Sequence, residues 1–308
     1  MISRYRRELA VAAVYAALLF LLAVIQPRFF RDQFVDGWIR STPGLVLAIG
    51  MTFVILARHI DISIGSQFSI CGVVAALAAK MGLPMPAVAA VSIAVGAMLG
   101  AVNGTLVALV GLPSIVVTLA TMVILRESLR WIREGAAVND LPHYFQWFGL
   151  SQSAGEHLLL MIAAVAVVIF AIGSNRVMAG RAVYAVGSDE EAARLAGLQP
   201  RQVVFGVFVM MGALAGLAAI MGAVRSPQVE VTAGNGLELK AIAAVVVGGT
   251  AIAGGRGTVI GTLIGVALLA VISPALLFLH VPAQWDQAIE GAIILTAVAS
   301  DGLLRRAT

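Results

Sequence analysis

AVGSDEEAARLAGLQPRQ, residues 185–202, ends a polar run that begins at Gly173 and lies between two stretches so apolar that they belong in lipid. Ser188 stands at an N-cap position, and Glu191 follows three residues later at the spacing of a capping box. Asp189 and Glu190 put negative charge in the first turn, where the helix dipole favours it. Gly197 and then Pro200 are stop signals. The loop 187–202 is therefore predicted to carry a short helix of its own. Ala192, Ala193, Leu195 and Ala196 give it a small, mildly apolar face. A solvated loop helix and a helix that seats in a partner both fit these residues.

Working outward, composition decides the class. The chain has 308 residues, 60% hydrophobic and 12% charged, whereas soluble domains carry roughly 25% charged residues. Its mean hydropathy is +0.99. Too few polar residues remain to clothe a water-soluble core. The expected fold is all-α, a polytopic transmembrane helical bundle forming one domain over residues 1–308. A crossing takes about 20 apolar residues. That ruler predicts about ten spans, near 9–26, 43–57, 63–80, 86–109, 113–131, 157–173, 203–224, 240–253, 258–279 and 284–300. Arg4, Arg6 and Arg7 precede the first, and Gln26-Pro27-Arg28 follows it in place of a small-residue cleavage site, so it reads as a retained span.

Ten spans put both termini on one side, and charge gives the direction. With the N-terminus inside, inner segments carry Arg4, Arg6, Arg7, Arg58, Arg176, Arg181, Arg194, Arg201, Arg256, Arg305 and Arg306. Outer segments carry Arg28, Arg31, Arg40, Lys80, Arg130, Arg133 and Arg225. The excess favours cytoplasmic N- and C-termini, and the 187–202 helix then faces the cytoplasm. Three outer segments exceed tight turns: 27–42, 132–156 and 225–239. The second mixes Tyr144, Phe145, Trp147 and Phe148 with polar residues, which suits an aromatic belt at headgroup level or a docking surface.

Glycines recur four apart at Gly96, Gly100 and Gly104, at Gly212 and Gly216, and at Gly257, Gly261 and Gly265. Such spacing lets helix backbones approach closely, inside the bundle or between subunits. Two breaks interrupt apolar helices, Arg58-His59-Ile60-Asp61-Ile62-Ser63-Ile64-Gly65-Ser66 and Gly254-Gly255-Arg256-Gly257. Irregular backbone at membrane depth is tolerated only when buried in protein or lining a wet cavity. The breaks read either as the inner floor of a shared cavity or as plain inner loops. Asp61 has two uses there, pairing with Arg58 or accepting backbone N–H groups at a helix start. Ionisable groups near membrane depth are Asp61, Arg126, Glu127, Lys240 and Glu290. Snorkelling at a span end accounts for Arg126, Glu127, Arg130 and Arg133. Asn103 and Thr118 sit inside spans, placed to hydrogen-bond across helices.

Other chemistry is missing. No phosphate loop closes on either lysine, Lys80 or Lys240. His59, His143, His157 and His280 have no metal-ligand spacing, and Cys71 is a lone cysteine without a base nearby in sequence. The arginines lie in loops and chain ends, not in an aromatic-interleaved patch for nucleic acid. An intramembrane enzyme would need catalytic pairs that the sequence lacks. Cofactor, metal and catalytic residues are accordingly expected to be none, with membrane lipid the surrounding phase.

Four segments carry a resemblance over nearly the whole chain: GMTFVILARHIDISIGS (50–66), NGTLVALVGLPSIVVTLATMVILR (103–126), Gly180 with the following RAVYAVGSDEEAARLAGLQPRQV (181–203), and GLELKAIAAVVVGGTAIAGGRGTVIGTLIG (236–265). The chain resembles permease subunits of bacterial ABC importers for monosaccharides, of the ribose/xylose/arabinose type. Arg58-His59-Ile60-Asp61, Leu141-Pro142 and Pro282-Ala283-Gln284-Trp285 look most like permeases for rhamnose or autoinducer-2. The resemblance implies a multi-pass protein of the bacterial inner membrane. It also implies a second permease subunit, a cytoplasmic ATP-binding subunit and a periplasmic sugar-binding protein as partners. It makes the 187–202 loop the coupling helix, with Ser188, Asp189, Glu190, Glu191, Ala192, Arg194, Leu195, Gly197 and Arg201 meeting the ATPase. Arg194 and Arg201 are placed to pair with acids on its rim. The resemblance supplies no sugar site. Polarity alone points to Asp61, Ser63, Asn103 and Glu127 along the substrate path. The competing reading is an ion-coupled secondary transporter, which the sparse ionisable set disfavours.

Overall fold

The computed structural model describes residues 6–25 and 34–278, with the isolated helical positions Trp285, Ala288, Gly291, Ala292 and Leu295 beyond them. In chain order the helices are α1 (Arg6–Ile25), α2 (Phe34–Leu56), α3 (Ile64–Lys80), α4 (Met85–Gly104), α5 (Ser114–Ile132), α6 (Gln152–Arg176), α7 (Met178–Ser188), α8 (Glu190–Leu195), α9 (Pro200–Ala223), α10 (Leu237–Val247) and α11 (Val259–Phe278). A π-helical turn, Thr105–Leu109, extends α4. Among the described residues the extended pairing is one isolated antiparallel bridge, Val138 with Val229. Among the described residues, four helices are long and apolar enough to cross a membrane: Phe34–Leu56, Met85–Leu109, Gln152–Arg176 and Pro200–Ala223.

Each span expected up to residue 279 meets a helix, with two corrections. The second begins at Phe34, nine residues before the expected start, because α2 runs through Pro43. Proline has no N–H for the carbonyl four residues back. That carbonyl, on Ile39, instead accepts the Thr42 hydroxyl at 2.8 Å. The eighth is half-length, since α10 ends at Val247 after 11 residues. It covers about 16 Å of a hydrocarbon core about 30 Å thick. The expected span at 284–300, with Asp286 and Glu290, lies almost wholly outside the described residues, and Glu290 itself does.

The chain reaches α10 by an irregular descent. The Gly234 N–H donates to Ser69 Oγ at 2.9 Å, and Ser69 lies eleven residues, about 16 Å, below the end of α3 at Lys80. Residues 225–236 thus dip from that end to the middle of the bundle. Gly234 packs backbone to backbone on Gly65, where neither position has room for a Cβ. Val229, Val231 and Gly234 are buried, while Gln228, Glu230 and Ala233 are exposed and line a cavity. Burial in protein or lining a wet cavity is what makes irregular chain tolerable at this depth.

Breaks between helices gather at two ends. At the α8 end, the Gly255 N–H donates to Leu56 O at 2.9 Å, the Tyr184 hydroxyl to Gly257 O at 2.8 Å and the Ile60 N–H to Ser114 Oγ at 3.3 Å. At the far end, Lys80 Nζ donates to Asn139 O at 2.9 Å and the Trp147 N–H to Val224 O at 2.8 Å. Arg58, Arg181, Arg194 and Arg256 therefore share one end, and Arg40, Lys80, Arg133 and Arg225 the other, which is the partition read from charge. The 132–156 segment folds over the far end, with its aromatic residues at most partly exposed. Phe145 is fully buried, the Tyr144 hydroxyl donates to Ala79 O at 2.6 Å, and Trp147 lies against Gly155.

Helix α9 is the hub, packed on α2, α3 and α4. Gly96 and Gly100 meet Gly212 and Gly216, while Gly261 and Gly265 meet Gly248 and Ala244. The glycine stripes are packing within this chain. Gly257 departs from its stripe: it precedes α11 at φ +152°, beside Thr250.

Candidate functional site

The short helix read from the polar run exists, with its start moved by one residue. Ser188 closes α7, and the N-cap of α8 is Asp189, whose Oδ1 accepts the Ala192 N–H at 2.9 Å. Asp189 leaves the helical region at φ −157°, as an N-cap does. Glu191 does not turn back to complete a capping box. It pairs with Arg194 one turn on at 2.7 Å, both side chains largely exposed. Such a pair adds little stability, so Asp189 is the main terminal anchor. Gly197, at φ +85°, ends the helix, and Pro200 opens α9. Ala193 points inward and is buried, while Leu195 is 81% exposed. Glu190, Ala192 and Arg201 are exposed as well. The predicted apolar face is thus divided, Ala193 inward and Leu195 outward.

Arg58 braces this region. Its Nε donates to Gly187 O at 2.7 Å and Ala253 O at 3.1 Å, and Nη2 donates to Ser188 O at 2.5 Å. Both expected breaks therefore join at the root of α8. Next to Arg58, burial pushes the His59 imidazole below its ordinary value, and the Glu190 carboxylate pulls it back.

Three of the four polarity-selected residues come together. Asp61 accepts the N–H and hydroxyl of Ser63 at 2.9 and 2.5 Å, so its use is the helix start and not Arg58. Asn103 Nδ2 donates to Ser63 Oγ at 2.8 Å, as does Gln67 Nε2 at 2.8 Å. Thr118 joins by donating to Ile60 O at 3.3 Å. Asp61, Ser63, Gln67 and Asn103 are all buried, forming a closed knot that holds α3, α4 and α5 at the first break. Glu127 stands apart, exposed, 3.2 Å from Arg130. Arg126 does more than snorkel: its Nη2 lies 3.5 Å from Glu238 Oε1 at the start of α10.

A cavity of about 790 Å³ occupies the half of the bundle away from α8, between α2, α3, α9, α10, α11 and the descending segment. Arg40, Ser41, Arg225, Ser226, Gln228 and Glu230 stand towards the far end, with Ser69 and Lys240 deeper. Most other lining residues are glycine, alanine or aliphatic, with Phe68 the aromatic one. This volume lies within the ~300–1,000 Å³ of small-ligand sites, and the small walls leave room for a compact polar molecule. Asp61, Ser63, Asn103 and Glu127 do not line it. Lys240 was legible as an ionisable group within a span. Ser69, a single hydroxyl inside a span, gave no such signal, and neither did Gln228, Glu230 and Glu238, because the segment 225–239 looks in sequence like any outer connection.

Apolar helices around a polar-mouthed cavity, with a capped helix exposed at the opposite end, are the architecture of a membrane transport subunit. The chain belongs to the family described as branched-chain amino acid transport system / permease component, which matches residues 33–298. It is similar to the ribose import permease protein RbsC of Escherichia coli strain K12, 35% identical over 295 residues, covering 92% of this chain and 91% of that protein. It is similar also to the autoinducer 2 import system permease protein LsrC of Enterobacter sp. strain 638, 34% identical over 302 residues, 98% of this chain and 88% of that protein. The ribose import permease protein of Haemophilus influenzae is 33% identical over 298 residues, 94% of this chain and 92% of that protein. No solved structure matches the chain.

Proposed function

We propose that this chain is the transmembrane permease subunit of an ATP-driven ABC importer, carrying a monosaccharide or sugar-like molecule of ribose, autoinducer-2 or rhamnose type across the inner membrane. The observation that carries this reading is the placement of α8, a capped and exposed helix rooted where two helix breaks meet. Its partners are a cytoplasmic ATP-binding subunit, a second permease subunit and a periplasmic sugar-binding protein. ATP hydrolysis belongs to the partner; this chain supplies two shapes with different affinities. Ten spans with both termini in the cytoplasm fit the partition of arginines between the two ends. The cavity faces the periplasm and takes the solute, with Ser69, Gln228 and Lys240 positioned for its hydroxyls. Ser188, Asp189, Glu190, Glu191, Ala192, Arg194, Leu195, Gly197 and Arg201 form or flank the surface that meets the ATPase.

Proteoliposomes holding the chain with its ATP-binding subunit and binding protein should accumulate labelled ribose, rhamnose or autoinducer-2 only with ATP inside. Uptake by the chain alone on a proton or sodium gradient would establish the ion-coupled alternative. Asp189→Ala removes the cap, worth about 1 kcal/mol. ATP-driven uptake should then fall about fivefold with normal membrane insertion. Unchanged uptake and unchanged ATPase stimulation in this variant would remove α8 from the mechanism.

A further inference from the structure

Outside the 134–148 segment, Arg58 is the one described residue other than glycine in the left-handed region, at φ +66°. A side chain disfavours that conformation, and here its result is to aim the guanidinium at three carbonyls. Two of them, on Gly187 and Ser188, are the last of α7, where the helix dipole presents its negative end. The next residue, Asp189, caps α8. The third, on Ala253, belongs to the turn between α10 and α11. Glycines close the joint: a Cβ on Gly187 would strike Leu56 O, one on Gly254 the Arg58 side chain, and one on Gly255 Ser188. Backbone therefore lies against backbone across three loops, riveted by one planar fork of donors that lysine cannot reproduce.

The same turn leads back into α10. That helix is bounded by Gly236 at φ +82° and Gly249 at φ +92°, and it lines the cavity with Leu237, Lys240, Ala241 and Ala244. We propose that Arg58 is a positioning residue that links displacement of α8 to α10, so that the partner's stroke reaches the cavity wall through the turn at Ala253. This rests on reading α8 as the ATPase-coupling surface.

The test is the number of solute molecules moved per ATP, measured in the full reconstituted complex. The solute is whichever of labelled ribose, rhamnose or autoinducer-2 the unmodified complex accumulates. Arg58→Ala should keep stimulated ATP hydrolysis while the transport ratio falls roughly tenfold, within the range of coupling between sites. Arg58→Lys should recover part of it, because an ammonium reaches one carbonyl without forming the fork. Gly254→Ala, which wedges a methyl against Arg58, should give the same loss from the other side of the joint. Asp189→Ala on α8 is the control. If it is defective while Arg58→Ala and Gly254→Ala retain a normal ratio, the link is refuted and the coupling surface stands. If all are silent, both readings fail. If Arg58→Ala yields no assembled complex, normal ratios in Arg58→Lys and Gly254→Ala would equally refute the link and leave Arg58 a structural role.

Discussion

Gly212→Val should prevent the bundle from assembling. On α9 the position faces α4 so closely that a Cβ would overlap Gly96 O, with the Gly100 N–H also in the way. Gly96 meets the reciprocal obstacle in Gly212 O, and Gly216 meets Ser92 O. All these neighbours are backbone, so no rotamer change relieves the overlap and the helices must separate. In lipid no hydrophobic drive holds them together, and close van der Waals contact with occasional hydrogen bonds does that work. One such bond spans this interface, Ser92 Oγ to Gly216 O at 2.8 Å. Separation loses both, for an expected cost of about 3 kcal/mol or more. Gly206→Val is the matched control on the same helix, since its Cβ would meet nothing within 4 Å. Thermal unfolding in detergent should show Gly206→Val melting with the unmodified protein, and Gly212→Val yielding little folded monodisperse protein. Equal melting of the two would mean that α4 and α9 do not meet as described.

The second large effect concerns Arg126 and Glu238. Only one carboxylate oxygen reaches the guanidinium, at 3.5 Å, and Glu238 Oε2 and Arg126 Nε make no hydrogen bond within the protein. The Glu238 side chain is 8% exposed and that of Arg126 27%. Removing one partner strands the other charge in a poorly solvated place, whereas removing both can be nearly neutral. Glu238→Leu is accordingly expected to cost about 3 kcal/mol. Arg126→Leu is expected to cost less, because the carboxylate left behind lies near the α10 N-terminus, where the helix dipole favours negative charge. The double variant should be more stable than Glu238→Leu. A double-mutant cycle on melting temperature checks this, and additive losses would show that the pair is not coupled. Since the pair ties α5 to the start of α10, its loss should also loosen the cavity wall.

Much was legible before any tertiary contact was known. Lipid burial demands long apolar runs, so span positions could be read with a ruler, and charge asymmetry sorted the loops into two ends. Caps and stops are local chemistry, which is why α8 could be placed from Ser188 to Gly197. The one-residue shift arose because Asp189 and Ser188 are both good caps, and α7 continuing through Ser188 decides between them. The apolar ruler started the second span at residue 43, nine residues late, because α2 begins with a more polar stretch containing Asp36, Arg40 and Ser41 and then runs on through Pro43.

The sequence by itself determined the helical membrane class, the glycine faces and the exposed helix, since each depends on residues within a few turns of one another. Only the tertiary structure decided what these elements meet. It closed Asp61, Ser63 and Asn103 into a buried knot away from the cavity, and put the cavity beside a half-length helix. It also joined Arg58 to carbonyls 129, 130 and 195 residues away in the chain. Backbone carbonyls are present at every position and carry no residue identity, so a site built on them leaves no trace in sequence until the fold brings its partner within reach.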